Sequence, residues 1–244
     1  MCSGSLSKRT ASFTKIREII KFFKLKKHIN KKMVKFKQRV KEWKAEIIEH
    51  KNKIILALFF IILASFIYFL AGSYTTTDAK VSEVSDLILD HIPAINNIIL
   101  IFLYVWVFAL LTTFLYLYPL IFNPKKIHYF LGLIGLWIFI RSIFIILTHL
   151  KTPADAIILD LPWLIRSFYF QNDLFFSGHT GLPFLGYLIF RKENKSLSYL
   201  FLAASIIMGI TVLLLHQHYS IDVLAAFFIT YGIYKIGDRI FNGK

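Results

Sequence analysis

The chain has little of what a water-soluble protein needs. It contains a single cysteine, Cys2, which excludes a disulfide within the chain and a cysteine-based metal knuckle. Only 18% of its 244 residues are charged, whereas 57% are hydrophobic, and the mean hydropathy is +0.61. Soluble domains average about 45–50% apolar and about 25% charged residues. This composition disfavours a soluble globular fold and indicates a membrane protein.

Acidic residues are also scarce, and the positive charge lies close to the N-terminus. Residues 8–53 hold 17 of the 29 basic residues and only 4 of the 14 acidic ones, a net +13 of the total +15. Hydrophobic residues recur there at spacings of three and four, as at Phe36, Val40 and Trp43, which predicts an amphipathic helix. Each Lys or Arg near an anionic lipid surface contributes about 1 kcal/mol to binding.

We therefore expect residues 1–53 to form a basic amphipathic arm that docks on the anionic cytoplasmic leaflet. The arm runs directly into an apolar segment at Ile54, which favours lipid over nucleic acid as its partner. A solvated basic flank with no binding role is the simpler alternative.

Six apolar segments are candidates to cross a bilayer, for which a helix needs about 17–25 residues. They are residues 54–71, 98–121, 127–150, 174–190, 197–215 and 219–234. The last is short and is expected to extend toward Ile240. Because no internal repeat or Gly/Ser linker divides residues 54–244, the expected architecture is all-α: a polytopic membrane protein with one six-transmembrane-helix bundle.

The loops between these segments alternate in charge. The arm, the loop with Lys125 and Lys126, the loop at residues 191–195 and the C-terminal tail are basic. The loops at residues 72–97 and 151–173 are acidic on balance. Since basic loops stay on the cytoplasmic side, both termini are expected in the cytoplasm and both acidic loops on the exoplasmic side.

Ionisable residues within the predicted spans are functional candidates, because they are costly to bury in a membrane. They are Arg141, His179, His216, His218 and Asp222. The fourth and sixth spans run in the same direction, so His179, His218 and Asp222 should share one depth near the exoplasmic end. Arg141 lies about 14 Å below the end of its span, within reach of that level for a long side chain.

The spacing of His218 and Asp222 suggests an activated imidazole. Residues four apart lie on one helix face, so the carboxylate could hold one ring nitrogen and leave the other as a nucleophile or general base. His179 follows Ser177 and Gly178 near a predicted helix start, where N–H groups could hold a phosphoryl oxygen while His179 serves as acid and then base. Either histidine alone is as often structural, but three such residues at one depth favour catalysis.

Two stretches of the chain resemble a known family. Residues 173–180 (DLFFSGHT) and 216–223 (HQHYSIDV) resemble the two catalytic motifs of the sphingomyelin synthase family. Residues 141–153 resemble its block in the third span, and residues 86–93 weakly resemble the block before the second. That family belongs to the type 2 phosphatidic acid phosphatase superfamily of membrane lipid phosphotransferases.

The resemblance implies that His179, His218 and Asp222 form a catalytic triad. His218 would attack the phosphorus of a glycerophospholipid, phosphatidylcholine or phosphatidylethanolamine, and form a phosphohistidine while His179 protonates the leaving diacylglycerol. His179 would then activate an acceptor hydroxyl, that of ceramide, or water in a phospholipase C. No cofactor or metal is implied, membrane lipids are the expected partners, and the oligomeric state stays open.

The charge on the phosphoryl oxygens has to be neutralised by neighbouring groups. Arg141 is the main candidate, although an interhelical ion pair explains it equally well. The other candidates for substrate contact lie within the two motifs: Asp173, Ser177, Gly178, His216 and Tyr219.

Two arginine features of the superfamily's phosphatases are missing. The chain has no Arg-Pro dipeptide, and Val212 stands six residues before His218, where those enzymes carry an arginine. A phosphomonoester dianion would lack these clamps, whereas a phosphodiester carries one negative charge and needs fewer cations. These absences favour a phosphodiester substrate. Gln171 also departs from the sphingomyelin synthases, which usually have a cysteine there.

Other functions remain open. A lipid phosphate phosphatase would use the same triad and release inorganic phosphate. A non-enzymatic scaffold or transporter is a second alternative, although transporters are expected to have broken helices and polar residues near the bilayer midplane. A metal site at His216, His218 and Asp222 is a minor one, which full activity in excess chelator would remove.

The loop charges predict an active site on the exoplasmic side, in the Golgi lumen or the bacterial periplasm. A cysteine placed at Asp160 should therefore react with a membrane-impermeant thiol reagent added to that side. Labelling of this position only from the cytoplasmic side would show that the topology is wrong.

Overall fold

The computed structural model describes most of the chain in two compact units, residues 1–49 and 50–244. The described residues are 26, 33–34, 37–77, 79–161, 163–166 and 169–242, with the side chains of 164, 165 and 242 excepted. In the first unit, residues 37–49 are helical. Most of the predicted amphipathic arm lies outside the described residues, so it stays a prediction.

The described part of the second unit contains six helices of 13 residues or more and no extended strand. They are α1 (Lys51–Thr77), α2 (Ile98–Phe122, with a π-helical turn at Leu103–Val107), α3 (Ile127–Leu147), α4 (Gly178–Phe190), α5 (Lys195–Leu214) and α6 (Ser220–Asn242). Short helical turns lie at Leu89–His91, Pro124–Lys126 and Trp163–Arg166. The all-α prediction is confirmed for this unit.

Five of these helices, all except α4, are long and apolar enough to cross a membrane. The protein is therefore an integral membrane protein, and its last span extends to Phe241, as expected. The predicted count of six spans is not confirmed. Of residues 174–190 only Gly178–Phe190 is helical, and 13 residues rise only about 20 Å, against about 30 Å for the hydrocarbon core.

Protein surrounds α4 on several sides, which explains how so short a helix can lie within the bundle. It packs against α5 and α6, and nine of its 13 residues are buried. A Cβ added at Gly181 would lie 2.9 Å from both Trp137 of α3 and Thr230 of α6, so only glycine allows this approach. Backbone groups just before α4 also have partners within the protein, since Arg141 donates to the carbonyls of Asp173 and Phe176 and Ser177 N donates to the carbonyl of Asp222.

Two loops, residues 79–97 and 148–177, meet at the end of the bundle where α4 and α6 begin. Ser82 joins them, donating its N–H to His149 O (3.1 Å) and accepting from Lys151 N (2.9 Å). Both loops also reach the C-terminus of α5, where the carbonyls of Leu214 and Leu215 accept N–H groups from Ile95 and Ile157. The loops thus form one hydrogen-bonded layer over the helix ends.

The packing of α4 against α5 predicts a large difference between two Gly-to-Ala substitutions. A Cβ at Gly186 would lie 2.4 Å from the buried ring of Phe201, whereas one at Gly232 of α6 would meet nothing within 4 Å. Gly186→Ala should lower the free energy of unfolding by about 1–3 kcal/mol, the usual cost of overpacking. Gly232→Ala should leave it unchanged or raise it, since alanine favours helices.

Thermal unfolding of both variants in detergent measures this difference. Equal melting temperatures for the two variants would contradict the close approach of α4 and α5.

Candidate active site

His218 and Asp222 form a pair at the start of α6. His218 Nδ1 lies 3.1 Å from Asp222 Oδ2, and both side chains are buried. The contact differs from the one predicted, because His218 is in the turn before α6 and only Asp222 is helical. Asp222, the third residue of α6, folds back over the helix start, where Oδ2 also accepts the N–H of Tyr219 (3.2 Å). This is the acidic half of a capping box.

Asp222 also links α6 to α4, through its backbone carbonyl. Ser177 N donates to the backbone carbonyl of Asp222 (3.0 Å), and the side chain of Ser177 caps α4 by accepting from Thr180 N (3.4 Å). The side chain of Asp222 is fully buried. The starts of the two helices are thus joined directly.

His179, the second residue of α4, packs against two aromatic rings of α2. Its ring centroid is 3.9 Å from that of Tyr104, at an interplanar angle of 22°, and 4.0 Å from that of Phe108. The two rings fix the plane of the imidazole. Sequence reasoning missed both, because an aromatic pair four residues apart is unremarkable in a span rich in phenylalanine and tyrosine.

Arg141 of α3 is held by the motif before α4. Its Nη1 donates to Asp173 Oδ1 (2.6 Å), and its Nε donates to the carbonyl of Phe176 (3.1 Å). Tyr68 of α1 donates to the other oxygen of Asp173 (2.6 Å). The guanidinium is buried, and its charge is balanced by the carboxylate of Asp173. Arg141 therefore forms an ion pair, as one of its two interpretations expects, and it also lines the candidate site.

This cluster supports a strained turn. Phe175 and Phe176 have φ angles of 67° and 30°, a region that costs non-glycine residues about 1–3 kcal/mol each. The buried ring of Phe176 packs edge-on against Trp137 at 5.5 Å, and Phe175 packs against Phe144 at 5.4 Å. These contacts and the Arg141 hydrogen bond offset the strain, and the turn brings Ser177 to the start of α4.

One cavity of about 640 Å³ brings many of the predicted site residues together. The predicted residues on its wall are Arg141, Asp173, Gly178, His179 and His218. Ser177 and Asp222 are buried and do not line the cavity. The sequence predicts Arg141 about 14 Å below the end of its span. The helix α3 ends at Leu147, only six residues after Arg141, and Arg141 lines the same cavity as His179 and His218. Polar wall residues that the sequence did not single out include Tyr68, Tyr104, Thr112, Tyr169 and Gln217.

His216 and Tyr219, two further candidates, do not lie on this wall. Tyr219 is buried and donates its hydroxyl to Lys151 O (2.8 Å), so it supports the loop layer. His216 is fully buried with a φ of 53°, and its Nδ1 lies 2.8 Å from Asp155 Oδ2 but outside hydrogen-bonding alignment. Although His218 and Asp222 are in contact, the ligand atoms of His216, His218 and Asp222 do not all lie close enough to hold one metal ion. The minor alternative of a metal site there is not supported.

The comparison with known families concerns this region. Residues 172–238 match the family model described as PAP2 superfamily C-terminal, just over a quarter of the chain. The matched segment contains both motif histidines and Asp222. It supports the type 2 phosphatidic acid phosphatase superfamily, and thus a membrane enzyme of the lipid phosphatase or phosphotransferase type, without singling out the sphingomyelin synthases. No curated protein and no solved structure matches the chain significantly.

Asp86, in the loop layer, anchors the start of α6. Its carboxylate accepts N–H groups from Ile88 (2.9 Å), Leu89 (3.1 Å) and Ser220, the first residue of α6 (2.6 Å). Burial raises the pKa of Asp86, but these donors outweigh burial and lower it below its usual value. The N–H groups at a helix start have no acceptor within the helix. Asp86, which is distant in the sequence, provides the acceptor for one of those of α6.

We expect Asp86→Ala to lower the free energy of unfolding by about 1.5–3 kcal/mol at neutral pH, the usual contribution of a hydrogen bond to a charged group. Asp90→Ala, at an exposed position in the same loop, is the matched control. Because the folded-state pKa is lowered, this stabilisation is complete above about pH 3.9, the unfolded value, and is lost as the pH falls through the folded value. Unfolding in detergent from pH 7 to pH 3 measures it; equal stability of the two variants at pH 7 would contradict the anchoring role.

Proposed function

We propose that the protein is a membrane lipid phosphotransferase that acts on phosphodiesters. It would move a phospho-headgroup from a glycerophospholipid to a ceramide-like acceptor, or to water, through a phosphohistidine. The observation that carries this proposal is that His179 and His218 lie on the wall of one cavity while buried Asp222 holds His218 Nδ1. Two separate imidazoles at one cavity are what a double displacement at phosphorus requires.

The chemistry divides between these groups. Because Nδ1 of His218 faces the carboxylate, Nε2 is the nitrogen that attacks phosphorus, and the bond from phosphorus to the diacylglycerol oxygen breaks as His179 donates its proton to that oxygen. His179 then takes a proton from the acceptor hydroxyl, whose oxygen attacks phosphorus. The P–N bond breaks and restores His218. The N–H groups at the start of α4 and the Arg141 guanidinium are the groups available to the phosphoryl oxygens.

Charge supports a phosphodiester over a phosphomonoester. Among the described wall residues Arg141 is the one Arg or Lys, and Asp173 already pairs with it. A dianion would therefore meet little net positive charge, whereas a monoanion needs less. A lipid phosphate phosphatase remains the alternative, and identification of the released product separates the two functions.

The rest of the wall suits a lipid. It is mainly apolar and aromatic, as expected of a site that takes acyl chains: Val105, Phe108, Leu161, Phe170 and Leu182. Exoplasmic orientation of the site and docking of the basic arm on anionic lipid are parts of the same proposal. Incubation of the purified protein with labelled phosphatidylcholine, phosphatidylethanolamine and ceramide, followed by mass spectrometry, identifies donor and acceptor.

The roles of the triad predict different labelling of three variants. With a phosphorus-labelled substrate that has a good leaving group, His179→Ala should still label His218, because such a leaving group needs no proton. His218→Ala should form no covalent intermediate. Asp222→Asn should keep the fold but favour the wrong tautomer, a change that lowers kcat by about 10⁴ in a serine protease triad, the system in which it is best known.

His149→Ala is the matched control, because His149 is exposed and does not line the cavity. Acid-labile label should appear on this control and on His179→Ala. Label retained on His218→Ala would overturn the nucleophile assignment, and unchanged turnover in all three triad variants would remove the enzymatic function.

A further inference from the structure

One face of α2 extends from the catalytic imidazole into the depth of the cavity. Every fourth residue from Tyr104 lines the cavity: Tyr104, Phe108, Thr112 and Tyr116. The first two contact His179. Thr112 follows one turn later, about 6 Å along the helix axis from Phe108 at 1.5 Å per residue. The imidazole and a threonine hydroxyl thus lie along one wall.

Two threonine hydroxyls on the described helices, those of Thr112 and Thr180, are buried without a hydrogen-bond partner, and of the two residues Thr112 is the one that lines the cavity. Its Oγ1 is buried and has no hydrogen-bond partner. By contrast, Ser65, Ser142 and Thr211 each donate at 2.8 Å to the carbonyl four residues earlier in their own helix. A buried hydroxyl without a partner costs about 1–3 kcal/mol, so a ligand atom that accepts its proton would bind more tightly.

We propose that Thr112 forms a subsite for the carbonyl oxygen in the linkage region of a lipid substrate, which rests on the proposed function. A hydroxyl donates to a carbonyl oxygen, and in a lipid that group lies between the polar head and the acyl chains. With the phosphorus at His179 and His218, the linkage region lies one step deeper, at the level of Thr112. The carbonyl is an ester in a glycerophospholipid donor and an amide in a ceramide-like acceptor.

The deeper wall supports this orientation of the lipid. Tyr116, one turn beyond Thr112 on α2, and Ile138 of α3 also line the cavity. Apart from the Tyr116 hydroxyl these side chains offer apolar surface, which suits the first methylenes of an acyl chain. Hydroxyls of Thr113 and Tyr116 also lie on this face of α2, but the Thr112 hydroxyl is the one among them that is buried without a hydrogen-bond partner. The order along α2 is therefore imidazole, unpaired hydroxyl and largely apolar wall, which matches the order of headgroup, carbonyl and chain in a lipid.

Removal of the hydroxyl without loss of volume tests the subsite. For wild type we expect kcat/KM to be about tenfold higher for a diester phospholipid donor than for its diether analogue, which lacks the carbonyls; this ratio corresponds to one hydrogen bond. Thr112→Val should abolish the preference, and Thr112→Ser should keep it. Thr77→Val, at an exposed position near the end of α1, controls for the substitution itself.

A second arm identifies which lipid supplies the carbonyl. It compares an N-acyl sphingoid base with its N-alkyl analogue as acceptor, for wild type and Thr112→Val. Loss of preference in the donor arm assigns the ester, and loss in the acceptor arm assigns the amide. Retention of both preferences by Thr112→Val, or a wild type without either, would overturn the subsite.

Two further measurements separate failure of the subsite from failure of the fold or of the proposed function. Thr112→Val and Thr112→Ser should hydrolyse nitrophenyl phosphorylcholine, which has no linkage carbonyl, at equal rates; a much lower rate for Thr112→Val would point to structural damage and contradict a role in binding alone. If wild type turns over no phosphodiester, the proposed function fails. The subsite is then judged by melting temperature: a diester phospholipid should stabilise wild type more than its diether analogue, and equal stabilisation would refute it.

Discussion

The buried ion pair between Arg141 and Asp173 is the interaction on which the geometry of the site depends. Removing one partner from a buried pair typically costs about 3–5 kcal/mol, because the remaining charge has no counter-ion. Here the guanidinium also holds the carbonyl of Phe176, inside a turn of unfavourable φ angles. That turn determines where α4 begins and hence where His179 lies. The pair thus connects α3 to the first of the two motifs, residues 173–180.

A second set of contacts fixes α6 relative to α4. Asp222 holds His218 through its side chain and Ser177 through its carbonyl, while Asp86 holds the first N–H of α6 from the loop layer. Each contact involves a helix start, where N–H groups lack partners within the helix. The same orphan donors that make helix starts suitable for anions are used here to join elements. The site is therefore organised by the loop layer as much as by helix packing.

The sequence predicted these features unequally. Long apolar runs predict five of the helices, because hydropathy reports burial in lipid directly. It fails at residues 174–177 because a turn formed by phenylalanines has the composition of a span; only positive φ angles at Phe175 and Phe176 reveal it. The spacing of His218 and Asp222 predicted their contact but not its form. The rings around His179 and the free hydroxyl of Thr112 arise from tertiary packing, for which a single sequence holds no signal.

The pairing of Arg141 has a consequence for the proposed chemistry. A guanidinium that must hold Asp173 and the strained turn cannot turn fully toward a substrate, so the negative charge of the phosphoryl group has to be met mainly by the N–H groups at the start of α4 and by the imidazoles. Such donors are fixed before the substrate arrives and need no reorganisation during the reaction. They supply partial charges only, roughly half an elementary charge at a helix start. One negative charge fits that supply better than two, which is why the electrostatics of the cavity and the missing arginines of the sequence favour the same class of phosphorus ester.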